Sequence, residues 1–381
     1  MTKIQNDTEQ KSFGGGIAPE AAHSGRISLR RRTALELARL LNNNMKREHP
    51  LRQLFWESTL RCNVHCRHCG SDCKQSALTP DMPREDFFRV LDSVARHCDP
   101  HKVFLIVSGG EPLMRDDLEL CGKEFHRRGF PWGMVTNGLY LTAERFKNLV
   151  DDAGLGSIAL SLDGLEAEHN WMRCHPQSFE KASEAIDLLA RESRIIYDVV
   201  TCVNQRNYDQ LPQIRDFLIR KGVKAWRLFP IFPVGRAAND PLLQLSNAQY
   251  RGLLSFIRQT REEGRIRACY SCEGFVGNYE GDVRDWMFHC AAGITIGGVL
   301  IDGSIGACTS IRADYSQGNI YEDDFMDVWE HRYQQHRDHS WMRRDECADC
   351  RYWRYCEGNG LHLRDAQGRL MHCHMKRIIT E

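Results

Sequence analysis

The stretch Leu51-Arg52-Gln53-Leu54-Phe55-Trp56-Glu57-Ser58-Thr59-Leu60-Arg61-Cys62-Asn63-Val64-His65-Cys66-Arg67-His68-Cys69 decides how the rest of this 381-residue chain is read. Its first part, Leu51 to Glu57, is a short apolar run that predicts a strand. Three cysteines then follow, four and three residues apart, just past the strand, at the carboxyl edge where parallel-sheet proteins place their chemistry. Three thiolates so spaced can wrap one face of a cubane iron-sulfur cluster and ligate three of its four irons. The fourth iron stays open to the amino and carboxylate groups of a bound ligand. Zinc is the alternative: a structural zinc site wants four ligands, and Cys73, His65 or His68 could supply the fourth.

Outward from this stretch, short apolar runs alternate with helical patterns as far as Gly264, which predicts successive strand-helix units and a parallel sheet. The predicted strands are Leu51–Glu57, Lys102–Val107, Pro131–Val135, Ser157–Leu162, Ile195–Val203 and Ala225–Phe229. Between the first two, Thr79 can cap a helix whose Phe87, Phe88, Leu91, Val94 and Ala95 form one stripe. Between the last two, Tyr208, Leu211, Ile214, Phe217 and Leu218 form another, ended by Gly222. Six such units predict an α/β fold, a partial (β/α)6 TIM-like barrel over residues 51–264. Residues 1–50 read as a flexible N-terminal tail followed by a helix from Ser28 to about Lys46, with Leu29, Ala34, Leu35, Leu37, Ala38 and Leu41 on its apolar side and Arg30, Arg31 and Arg32 on a solvated one. Residues 265–381 are rich in glycine, aromatics and cysteine, and predict a smaller C-terminal domain held by metal more than by apolar burial.

Composition narrows the function. Lys plus Arg and Asp plus Glu number 51 each, so no field of one sign favours nucleic acid or an anionic membrane. No apolar run approaches the ~20 residues that span a bilayer, and the polar start carries no signal-peptide core. The chain is expected in the cytoplasm, with no nucleic-acid and no membrane partner. Sixteen cysteines in tight groups then point to metal and not to disulfides.

The second group is Cys347-Ala348-Asp349-Cys350, Cys356 and Cys373. Four thiolates can close a site completely, as iron-sulfur or as zinc. Upstream, Cys290 and Cys308 flank a glycine-rich stretch through Gly293, Asp302-Gly303 and Gly306, with Cys272 or Cys269 within reach in sequence.

With these residues in view, the chain resembles the radical S-adenosylmethionine superfamily, in its peptide-modifying branch with a C-terminal SPASM extension for auxiliary iron-sulfur clusters. Ser108-Gly109-Gly110-Glu111-Pro112 is similar to the family's glycine-rich turn at the methionyl amino group. Ser161-Leu162-Asp163-Gly164 with His169 and Arg173 looks like the stretch that meets the ribose and methionyl carboxylate. The spacing of Cys347, Cys350 and Cys356 reproduces the SPASM pattern. The resemblance implies S-adenosylmethionine and 4Fe-4S clusters as cofactors: one radical cluster on Cys62, Cys66 and Cys69, and two auxiliary ones, on Cys272, Cys290 and Cys308 and on Cys347, Cys350, Cys356 and Cys373. It implies cofactor contacts at Gly109, Gly110, Glu111, Pro112, Ser161, Asp163 and Arg173. One departure is Gly360, where the family often has a cysteine; the first auxiliary cluster is then expected to keep a position open to substrate, water or His362, unless Cys269 and Cys272 both ligate.

The implied reaction is formation of a 5'-deoxyadenosyl radical that modifies a ribosomally made peptide or protein side chain, by a thioether or carbon-carbon link. A formylglycine-forming sulfatase maturase is one alternative, weakened by Thr309 after Cys308 where that branch has Asp. A zinc-stabilised, non-catalytic binding protein is the other. The expected partners are the peptide or protein substrate and a one-electron donor such as flavodoxin or ferredoxin; the residues before the first strand lack a leader-binding pattern, so leader recognition is expected from a separate leader-binding protein, from the N-terminal helix, or not at all.

Overall fold

Strand β1 (Gln53–Thr59) forms where the apolar run predicts it. Alternation along the strand sends Leu54, Trp56 and Ser58 to one side, where Trp56 stacks on Phe87 of helix α2 (Arg84–His97) with ring centroids 4.5 Å apart. Phe55 and Glu57 therefore face the opposite side, the lumen of the curved sheet. The chain, a computed structural model described over residues 17–22, 24–71, 73–271 and 274–381, repeats this unit. Helix α1 (Leu29–Glu48) precedes β1, and after α2 come β2 (Phe104–Gly109), α3 (Leu118–Arg127), β3 (Trp132–Thr136), α4 (Ala143–Asp151) and β4 (Leu155–Ser161). Then follow α5 (Glu166–Arg173), α6 (Ser178–Arg191), β5 (Ile196–Val203), α7 (Leu211–Arg220), β6 (Ala225–Pro230) and α8 (Asn247–Glu263). All six predicted strands are present, within two residues of the predicted starts.

Two further parallel strands, β7 (Arg267–Tyr270) and β8 (Ile296–Val299), complete the curved part of the sheet. The order is β8-β1-β2-β3-β4-β5-β6-β7, every pair parallel. Beyond β8, strands β9 (Ser304–Gly306) and β10 (Gly318–Asn319) add on antiparallel. β7 and β8 do not pair with each other, so the barrel stays open between them, and the sheet runs across the 264/265 division. Sequence periodicity could not reveal β8, because Gly297 and Gly298 give it no alternating pattern.

Three other expectations need correction. The helix after β1 starts at Arg84 with Pro83 as its first flanking residue, and Thr79 caps nothing; prolines at 80 and 83 keep the residues before them out of helical backbone. Of the apolar side expected on α1, Leu35 alone is buried, while Leu29, Leu37 and Leu41 are exposed. The helix is held instead by charge: Arg31 pairs with Asp282 at 2.6 Å, Lys46 with Glu357, and Glu36 with Arg354 and with Tyr355 Oη at 2.8 Å. The segment before α1 is docked where the structure describes it. Glu20 N–H donates to Ala248 O (3.2 Å), Arg251 Nε to Glu20 O (2.7 Å) and Tyr352 Oη to Gly25 O (2.8 Å). The rest of the expected flexible tail, residues 1–16, lies outside the described residues.

Candidate active site at the carboxyl edge of the sheet

The cysteine loop leaves β1 without regular structure, and neighbouring elements hold it by its backbone. Cys62 N–H donates to Lys74 O at 2.8 Å, and Arg61 forks onto Asp81. Arg67 N–H reaches Met172 O (2.9 Å) at the end of α5, and its guanidinium lies 4.6 Å from the Trp171 ring, whose centroid is 4.3 Å from Arg206. From the loop after β6, Arg236 donates through Nε to Cys66 O (2.7 Å), through Nη1 to Cys73 O (3.1 Å) and through its backbone N–H to Cys69 O (3.1 Å). Gly235 permits this approach: its φ is +57°, and a Cβ there would sit 2.5 Å from Cys69 O.

Cys62, Cys66 and Cys69 share one small apolar cluster with Leu60, Val64, Cys73 and Leu139, separate from the main core. Burial pushes the Cys62 thiol up to about 12 and raises Cys66 as well, whereas donation from the Cys73 thiol draws Cys69 down. N–H donors already face two of the sulfurs: Arg173 Nη1 is 3.6 Å from Cys66 Sγ and Asn137 Nδ2 is 3.9 Å from Cys62 Sγ. Buried thiols met by N–H groups, one of them cationic, suit thiolate ligands of a cluster, since such hydrogen bonds stabilise the anionic sulfur.

The glycine turn abuts this loop. Gly109 has φ +129°, and Cβ atoms at Gly109 and Gly110 would fall 2.1 Å from Thr59 O and Arg61 O. Close packing of the β2 end on the β1 end is thus reason enough for both glycines. Glu111 is buried and accepts from Thr136 Oγ1 (2.7 Å), Asn137 N–H (2.7 Å) and Leu113 N–H (3.1 Å), so its carboxylate ties the β2 turn to the end of β3. Pro112 opens the short turn that follows and is buried.

Ser161 closes β4, half-buried. Asp163 is fully buried and pairs with Arg173 at 2.6 Å, and its other oxygen accepts from Cys202 N–H at 2.8 Å. Burial opposes its ionisation, but Arg173 beside it holds the carboxyl below the ordinary range. His169 Nδ1 accepts from Asp163 N–H (2.9 Å) and its Nε2 meets Ser178 Oγ (2.9 Å), so α5 and α6 brace the same corner. One guanidinium thereby joins Asp163 to Cys66. His68 packs into this corner too, its ring within 4.8 Å of the Asp163 carboxylate and Cys202 Sγ, and burial lowers it to about 4. The sequence offers no sign of the His68 or Trp171 contacts beyond their nearness to the motifs.

In the C-terminal part, Cys347, Cys350, Cys356 and Cys373 line one cavity, and Arg364 Nη2 lies 3.5 Å from Cys347 Sγ. Four convergent thiols fit a closed cluster. Cys290 lines an adjoining cavity with Cys356, His339, Leu35 and Ala38, the last two from α1. Cys308 follows β9, half-buried. Cys272 lies outside the described residues, and His362 is buried with its ring 4.7 Å from that of Phe232.

An open parallel barrel with a three-cysteine loop at its carboxyl edge and a second, four-thiol site in the C-terminal part carries the ligand sets of an iron-sulfur protein of the partial-barrel class. Residues 56–218 match the model of the radical SAM superfamily, and residues 290–351 that of an iron-sulfur cluster-binding domain, SPASM. The chain is a member of the radical SAM superfamily carrying a SPASM domain, with 4Fe-4S clusters and S-adenosylmethionine as its cofactors. It is 27% identical over 325 residues to the AdoMet-dependent heme synthase of Methanosarcina barkeri, covering 81% of this chain and 90% of that protein. It is also 27% identical over 314 residues to the mycofactocin maturase of Mycolicibacterium smegmatis, covering 80% and 76%. Among solved structures, anSMEcpe with bound AdoMet and the Cp18Cys peptide superimposes with a TM-score of 0.65 at 18% identity, over 86% of this chain and 93% of that one. Among the described residues, no helix is long and apolar enough to cross a membrane.

Proposed function

We propose that the enzyme abstracts hydrogen from a carboxylate-bearing tetrapyrrole held in the barrel lumen. The observation that carries this reading is the lumen wall. Phe55, Ile106, Val135, Val200 and Phe229 alternate with the outward, fully packed residues of their strands and leave an apolar, half-exposed surface. Two guanidinium groups stand beside it. Arg227 of β6 pairs with Asp198 of β5, and Arg312 lies 3.2 Å from Glu57 of β1, with side chains 36% and 30% exposed. Each fork keeps unused N–H donors for a second carboxylate. A flat apolar ring edged by carboxylates matches such a wall, and the long match to a heme synthase supports it.

When bound, S-adenosylmethionine and the radical cluster supply a 5'-deoxyadenosyl radical by one-electron cleavage. The chain's own residues do the rest: Cys62, Cys66 and Cys69 bind the cluster, Arg173 and Asn137 donate toward its ligand sulfurs, Gly109 and Gly110 let the β2 turn close on the loop, and the apolar lumen excludes water. Cys347, Cys350, Cys356 and Cys373 hold one auxiliary cluster. Cys290 and Cys308, with Cys272, hold the other, with a position left open by Gly360.

A peptide is the second reading, supported by the similarity to a peptide-cofactor maturase; a thioether or carbon-carbon link is the change expected there. One experiment separates them. Anaerobic holoenzyme with dithionite and S-adenosylmethionine is offered an iron porphyrin bearing two to four propionates, or a candidate peptide, and products are read by mass spectrometry. A mass change in the porphyrin that R227A slows at least tenfold supports the first reading. A change in the peptide alone overturns it.

A further inference from the structure

The outer face of α1 is the least explained surface of the molecule. Leu29 is 80% exposed, Leu37 60%, Leu40 57% and Leu41 69%, four of the twelve large hydrophobic side chains exposed among the described residues. With Thr33 and Asn44 they follow the three- and four-residue spacing of a single helix face. Arg30, Arg32 and Arg47 are exposed beside them, and Arg30 and Arg32 make no ion pair among the described residues. Glu48 is the single exposed acid of the helix, because Glu36 is turned inward onto Arg354 and Tyr355. The opposite face of the same helix, through Leu35, Ala38, Arg39 and Asn42, lines the cavity that holds Cys290 and Cys356.

We propose that this face docks a small acidic one-electron carrier protein, of the flavodoxin type, that exchanges electrons with the auxiliary cluster site. The inference rests on the radical-enzyme reading above. An apolar centre with a cationic rim is the composition of a small, transient interface to an acidic partner. A carrier seated there is separated from the cysteine cavity by one helix, about 10 Å. The exchange moves one electron and no atom: the carrier's flavin hydroquinone becomes the semiquinone as the electron enters the cluster. A second copy of the chain fits less well, since two-fold pairing of the face sets Arg30, Arg32 and Arg47 against their own kind.

The test is a binding titration of the anaerobic full-length holoenzyme with a strongly acidic flavodoxin, at 50 and 300 mM NaCl. Saturable binding is expected, weakened at least tenfold by L37E–L41E, at least tenfold by R30E–R32E, and at least tenfold by the added salt in the unmodified chain. These side chains are exposed, so the thermal midpoint should not move. Unchanged binding in either variant overturns the proposal, as does a dimer in solution that L37E–L41E dissociates. Dithionite-driven 5'-deoxyadenosine formation should be the same in both variants. If the unmodified chain forms none, the radical reading fails, while the titration still decides the docking face.

Discussion

Replacing Arg236 with alanine removes the clamp on the cysteine loop without touching a cysteine. Among the described residues two side-chain bonds are lost, Nε to Cys66 O at 2.7 Å and Nη1 to Cys73 O at 3.1 Å, while the backbone bond to Cys69 O stays. Each is a charged donor on a carbonyl, and such bonds contribute about 1.5–3 kcal/mol. Allowing for the side-chain entropy regained, R236A should cost the ordered loop about 3 kcal/mol, roughly a hundredfold in its population. Cluster loss should follow loop opening. In anaerobic holoenzyme, a chelator should therefore strip the radical-site iron tens to a hundred times faster from R236A, with its electron paramagnetic resonance signal decaying in step. R236K keeps the charge but not the fork and should fall between. A rate in R236A equal to that of the unmodified chain would refute the clamp.

Other outcomes follow from the same geometry. C347A–C350A should lose one cluster's worth of iron yet still cleave S-adenosylmethionine, because that cavity lies apart from the Cys62, Cys66 and Cys69 loop; loss of cleavage in a folded variant contradicts this division. In metal-free protein at pH 7, iodoacetamide should label Cys69 more slowly in C73A than in the unmodified chain, since donation from the Cys73 thiol draws the Cys69 thiol down; an equal rate contradicts this. His169, His336 and His339 are buried and lowered to about 3. Their folded values lie below the unfolded ~6.5, so the stability they contribute is full above that pH and is lost as the pH falls toward 3. Each should cost about 2 kcal/mol by pH 5, and urea midpoints at pH 7.5 and 5 read the loss.

The strands and the cysteine loop were legible because both signals are local. Apolar runs bounded by turns placed six strands, and the spacing of Cys62, Cys66 and Cys69 needs no distant residue to interpret it. What the sequence hid depends on partners far along the chain. Helix α1 carries a genuine leucine pattern, but Asp282, Arg354 and Glu357 decide which face turns inward. Arg173 reads as a ligand contact by motif, yet its guanidinium is bonded to Asp163 and faces Cys66, both out of sight of periodicity. The glycines at 109 and 110 read by motif as a turn at the methionyl amino group, and the atoms they admit are Thr59 O and Arg61 O.

The central claim is tested most directly by the reaction itself. Anaerobically reconstituted protein, given dithionite and S-adenosylmethionine, should form 5'-deoxyadenosine and methionine in equal amounts, and C66A should abolish both while keeping the iron of the Cys347 site. A colourless protein that holds zinc and no inorganic sulfide, or one that carries its clusters and leaves S-adenosylmethionine intact under reductant, would contradict it.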